Sequence, residues 1–252
     1  LMILQNVENI GISIISQTLN LAPADKKIYA LRDVISCVES IPLIASSIMS
    51  KKIAAGSNKI VLDITCGNGA FMKNLEDATK LAKTMISIGK LANKETVCVI
   101  TSMEAPLGEA VGNSLEVIEA IQALNGNMKE DVKEVVLTLG AYMIKLAGKG
   151  NDIEENKQKM LEQIRNGEAI KEFKELIQNQ GGDASYIDNT ELFEKAKYIL
   201  PVKSNKTGYV KALELENTTE AETRIENLEE FLTVAIEFEE EEAENTLADF
   251  LE

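Results

Sequence analysis

The sequence predicts an α/β protein, in which a sheet of short strands is layered with longer helices. Three observations carry this. Short β-branched runs (IGISIIS at 10–16, KIVLDI at 59–64, TVCVIT at 96–101) alternate with stretches of helical periodicity. Hydrophobic residues make up 45% of the 252 and charged residues 27%, enough apolar material for a sizeable core. No apolar run approaches the ~20 residues of a membrane-spanning helix.

The elements follow in order. Residues 10–16 read as a buried strand, and NLAPAD at 20–25 is turn chemistry. Residues 26–37 and 41–54 read as helices. Pro42 falls in the first turn of the second, where its missing N–H is tolerated. Ala55-Gly56-Ser57-Asn58 ends that helix. The strand at 59–64 runs into Cys66-Gly67-Asn68-Gly69, and a long helix is expected from about 71 to 91. The strand at 96–101 comes next, then helices at about 114–123, 129–147 and 152–179. YILPV at 198–202 reads as a further strand. There is no internal repeat.

The charge is uneven. Acids outnumber bases 41 to 26, a net charge of -15. Residues 214–252 hold fifteen acids and one base (Arg224), leaving 26 acids and 25 bases in residues 1–213. A nearly neutral body therefore carries an acidic tail, and the shift marks a module boundary. Nucleic acid is not an expected partner, because neutralising phosphates needs a basic surface. The tail reads as one helix. Thr219 and Glu222 have capping-box spacing, and Ile225, Leu228, Leu232 and Ala235 form an apolar stripe beside Phe231 and Ile236. The stripe needs a surface on this chain or another. Glu239 to Glu242 reads as a solvated helix end.

Histidine is absent, which removes the usual general base, the commonest metal ligand and every Ser-His or Cys-His pair. Cys37, Cys66 and Cys98 are odd in number and widely spaced, so neither a zinc site nor a disulfide framework is expected. A reducing, cytoplasmic setting fits. The opening Leu1-Met2-Ile3-Leu4 has no leader pattern, and a first residue other than Met suggests missing upstream sequence.

Two segments carry chemistry. In IVLDITCGNGAF (60–71), glycines after a strand let a backbone approach a ligand, and the next helix offers free N–H groups. Read alone, the loop resembles the cofactor loop of methyltransferases that use S-adenosylmethionine. Those need an acid at the end of the next strand, about twenty residues on. Here the acid is Glu104, far later, and a structural turn is the plainer reading. In YALRDVISCVESIPLIASSIMSKK (29–52), Ser47 and Lys51 are four apart and share a helix face. With Arg32 they offer donors for a planar ligand bearing carbonyl oxygens. The plainer alternative pairs Arg32 with Asp33 or Glu39 and leaves Lys51 in solvent.

Residues 19–56 (LNLAPADKKIYALRDVISCVESIPLIASSIMSKKIAAG) resemble the nucleoside-contacting segment of pyrimidine-nucleoside phosphorylases, the group that includes thymidine phosphorylase. The resemblance continues through VLDITCGNGAFMKNLEDA (61–78), MEAPLGEAVGNSLEVIEAI (103–121), LAGKGNDIEE (146–155) and GGDASYIDN (181–189), covering roughly 5–203. It implies that Arg32, Ser47 and Lys51 hold the pyrimidine base and that Ile44 packs against it. It implies a potassium site using the Leu107 and Ala110 carbonyls and the Glu119 carboxylate, with further ligands upstream. It implies an α/β lobe with mixed sheet and flanking helices at 1–20 and 57–203. A partial helical lobe is inserted at 21–56, with hinges near 17–23 and 55–58. Homodimers occur in the family.

The departures matter as well. The family's phosphate-binding K-H-S-T-G-G segment has no counterpart here, and Thr65 stands where the glycine loop usually has lysine. Residues 207–252 resemble part of the 2B region of a superfamily-1 DNA helicase of the UvrD/PcrA type, without any nucleotide-binding loop. Residues 204–252 are thus expected to be an acidic helical tail on a chimeric, truncated chain. The resemblance implies pyrimidine-nucleoside phosphorolysis, with this chain expected to be inactive alone. Two alternatives stand beside it: a non-enzymatic hybrid whose tail helix binds a partner, and a methyltransferase.

Overall fold

The computed structural model describes residues 2–14, 21–34, 37–199 and 201. The chain divides into units 1–207 and 208–252, and the described residues all belong to the first. The acidic tail, its capping box and its helicase-like stretch lie outside them.

The chain opens with helix α1 (Met2–Ile10). Gly11 ends it at φ +81°, and its N–H donates to the Val7 carbonyl at 2.9 Å. The strand expected at 10–16 is not formed over the residues described: Ile10 closes the helix and 11–14 are irregular. A side chain takes the place of a neighbouring strand. Gln180 accepts the Ile14 N–H at 2.8 Å and donates to the Ile14 carbonyl at 2.8 Å. The backbone is satisfied without a ladder.

Helices α2 (Pro23–Val34) and α3 (Ile41–Ala54) follow, with Pro42 in the first turn of α3. Strand β1 (Lys59–Cys66) buries Ile60, Leu62 and Ile64 at alternate positions, as a pleated strand with one covered face must. Helix α4 (Leu75–Leu91) starts later than expected, because the glycine turn extends to Lys73 and Asn74 supplies the cap by accepting the Asp77 N–H at 2.9 Å. Strand β2 (Glu95–Ser102) pairs with β1 in parallel, with Leu62 opposite Cys98. This β–α–β unit buries Leu81, Ala82 and Met85 of α4 with Ala45 and Met49 of α3. At Gly89 the helix comes so close that an added Cβ would lie 3.1 Å from the Lys94 carbonyl oxygen.

The expected α/β class is what folds. Among the described residues the sheet has two parallel strands rather than a mixed arrangement. Helices α5 (Asn113–Leu124) and α6 (Glu130–Leu146) follow, and α6 packs on both strands. The single helix expected at 152–179 is two, α7 (Ile153–Arg165) and α8 (Glu168–Asn179). Gly167 between them sits at φ +83°, a left-handed conformation that stops a helix. A short helix α9 (Ser185–Asp188) and a 3-10 turn (Thr190–Leu192) were not signalled by periodicity. Ile187 and Ala184 nonetheless form a second core with Ile121. The strand expected at 198–202 does not form at Tyr198, Ile199 or Pro201, and its other residues lie outside the description. Among the described residues no helix is long and apolar enough to cross a membrane.

Candidate functional site

Helices α2 and α3 bring five polar or aromatic side chains together. Asp25, Tyr29 and Arg32 are spaced four and three apart on α2, and so share a face. Arg32 is only 4% exposed. Its Nε donates to the Cys37 carbonyl at 3.4 Å, and one terminal nitrogen donates to the Val38 carbonyl. The guanidinium thus closes the turn after α2, and its carbon lies 5.2 Å from the centre of the Tyr29 ring. From α3, Lys51 donates to Ser47 Oγ at 3.3 Å, as the four-residue spacing requires. The Lys51 ammonium lies 5.9 Å from the same Tyr29 ring and 3.1 Å from Asp25 Oδ2. That approach is an ion pair, and Oδ2 has no other polar partner among the described residues. Ser47 and Ile44 are buried on the same helix.

Lys51 is therefore not a free solvated lysine, and Arg32 is held by main-chain carbonyls. The cluster offers two cations, a hydroxyl and an aromatic face, while Ile44 of α3 belongs to the main core. Such a set donates to carbonyl oxygens and covers a flat ring. The sequence singled out Arg32, Ile44, Ser47 and Lys51. It did not single out Asp25 or Tyr29, although their helical spacing from Arg32 was the available signal.

A second group forms where the turn at 106–112 meets α5. Glu119 Oε1 accepts the Glu109 N–H at 2.9 Å, and Oε2 accepts the Ala110 N–H at 3.1 Å. Gly108 sits at φ +72°, and a Cβ there would lie 2.6 Å from Oε2. Asp131 accepts the Gly108 N–H at 2.9 Å. That bond, with a second from Val132 N–H, holds the Asp131 carboxyl below its ordinary range. Glu119 of α5 thus meets the turn through the amides of Glu109 and Ala110, and no hydrogen bond joins it to Leu107 among the described residues. Each Glu119 oxygen accepts one amide and keeps further acceptor capacity.

The glycine loop is occupied by protein. Gly67 N–H donates to the Met72 carbonyl and Gly69 N–H to the Met103 carbonyl, both at 2.9 Å. A Cβ on Gly67 would lie 2.9 Å from the Glu104 nitrogen. Glu104, the acid weighed as a ribose partner, accepts from the Asn68 side chain at 2.7 Å. These glycines admit a neighbouring loop.

Residues 2–170 match the family model described as "Glycosyl transferase family, a/b domain". The chain is 54% identical over 202 residues to a pyrimidine-nucleoside phosphorylase of Staphylococcus haemolyticus (strain JCSC1435), covering 80% of this chain and 47% of that protein. Proteins of the same name from Staphylococcus aureus strains USA300 and bovine RF122 / ET3-1 are 51% and 52% identical over the same shares. The chain spans about half the length of these curated relatives.

Proposed function

The chain belongs to the glycosyl transferase family through its a/b domain, and from this we propose that it carries the base-binding half of a pyrimidine-nucleoside phosphorylase site. In phosphorolysis a phosphate oxygen bonds to C1′ of the sugar as the C1′–N1 bond breaks. The electron pair passes to N1 of the base and spreads over its carbonyl oxygens. Donors fixed around those oxygens stabilise charge that grows only in the transition state. Arg32 and Lys51 supply that charge, Ser47 a neutral hydrogen-bonding group and Ile44 an apolar wall.

The convergence of Arg32, Ser47 and Lys51 supports this reading most strongly. In the same reading, the Leu107 and Ala110 carbonyls and Glu119 would hold a potassium ion, whose charge would tie the 106–112 turn to α5. Among these 252 residues there is no K-H-S-T-G-G segment and no histidine, so we assign them the base half alone. Given uridine and phosphate and nothing else, they are expected to bind the nucleoside without cleaving it. Uracil released by this chain, and lost in Lys51→Ala, would contradict that assignment.

A further inference from the structure

Resting on the base-binding reading above, we propose that Asp25 is the positioning residue that fixes the Lys51 ammonium for the pyrimidine base. Asp25 stands in the first turn of α2 and is only 9% exposed. Carboxylates are seldom buried that deeply unless paired. Among the described residues its buried Oδ2 has one polar neighbour, the Lys51 Nζ at 3.1 Å, and a buried acceptor without that charge would be costly. The charge of Lys51 is what offsets that cost.

Lysine carries its ammonium on a flexible four-carbon stem with three donors and no preferred fork. Lys51 is 24% exposed, and Ser47 fixes it on one side only, through a 3.3 Å bond. Asp25 supplies the second fixed point, from a different helix. The ammonium has three donors, and with one given to Ser47 and Asp25 facing it from the other helix, it keeps a donor for an incoming carbonyl oxygen. The spacing of Asp25, Tyr29 and Arg32 along one face then puts acid, ring and guanidinium in register with α3. Removing Asp25 leaves Lys51 charged but unaimed.

The test uses the full 252-residue chain. Uracil affinity is measured by NMR titration for the wild type, Asp25→Asn, Asp25→Glu, Lys51→Met and the double variant Asp25→Asn/Lys51→Met. Asp25→Asn is expected to weaken uracil binding roughly tenfold, in the range between exposed and buried ion pairs. Asp25→Glu should recover most of that loss. In the Lys51→Met background the Asn change should have under about a twofold effect, because the two act as one unit. An equal loss in both backgrounds overturns the proposal. A second readout needs no ligand. The two Hε protons of Lys51 should be inequivalent in the wild type and merge in Asp25→Asn. An unchanged Lys51 signal overturns the proposal even if affinity falls. No uracil binding by the wild type sinks the base-binding reading and Asp25's role towards a base with it. The Lys51 signal then shows whether the fault lies in that reading or in the hold on the ammonium.

Discussion

Arg32 has two duties that a lysine cannot share. Its Nε and one terminal nitrogen reach two successive carbonyls, Cys37 and Val38, while its carbon stays beside the Tyr29 ring. A lysine is a point charge without that fork. Arg32→Lys should leave the half-buried Val38 carbonyl without its donor, the Cys37 carbonyl still accepting the Ser40 N–H, and lower the unfolding free energy by about 1 kcal/mol, read from the urea midpoint. Cys98 makes a chemical prediction. Burial pushes its thiol up to about 11 from the model-compound value of 9.0, so little thiolate exists near neutral pH. In native protein at about pH 8, Cys98 should resist iodoacetamide, and it should label readily once urea unfolds the chain. Peptide mass spectrometry checks this, and fast native labelling of Cys98 would count against its burial. At this scale the sequence was partly legible. Ser47 and Lys51 share one helix, so spacing alone aligns them. Asp25 comes from another helix, and no local pattern states which way α2 and α3 face each other.

Between elements, close approach decides what is tolerated. Helix α4 crosses β2 at Gly89, where an added Cβ would meet Thr96 Cβ at 3.0 Å and the Lys94 carbonyl oxygen at 3.1 Å. Gly89→Ala should therefore cost about 1–3 kcal/mol despite the better helix propensity of alanine, since backbone must shift. Denaturant unfolding reads this directly, and a stabilised variant would contradict the packing. The Gln180 clamp gives a parallel expectation. Gln180→Ala removes both partners of Ile14, so the Ile14 amide should exchange with solvent much faster while α8 keeps its protection. The same clamp explains why the described part of IGISIIS, residues 10–14, is not a strand. Its β-branched composition is that of a strand, but composition does not reveal a partner. Here the partner is a side chain 166 residues away. By contrast KIVLDI and TVCVIT became strands, because they pair with each other across α4 in one parallel unit. The break in 152–179 was visible as Asn166-Gly167, a pair that helical periodicity on both sides obscured.

For the whole molecule, the layer order follows from two periodicities, two for the strands and 3.6 for the helices. That much is legible in the sequence. The site is a different matter. Its residues become meaningful only when α2 and α3 meet, and the glycine loop loses its ligand-binding look only when the 103–104 segment fills it. The proposed base half-site stands or falls on Lys51. Calorimetric titration of uridine into the full chain, wild type and Lys51→Ala, is the direct test. The account predicts saturable binding by the wild type, weakened about tenfold or more in the variant, with helical content unchanged by circular dichroism. No binding by the wild type, or equal affinity in a folded Lys51→Ala, would contradict it.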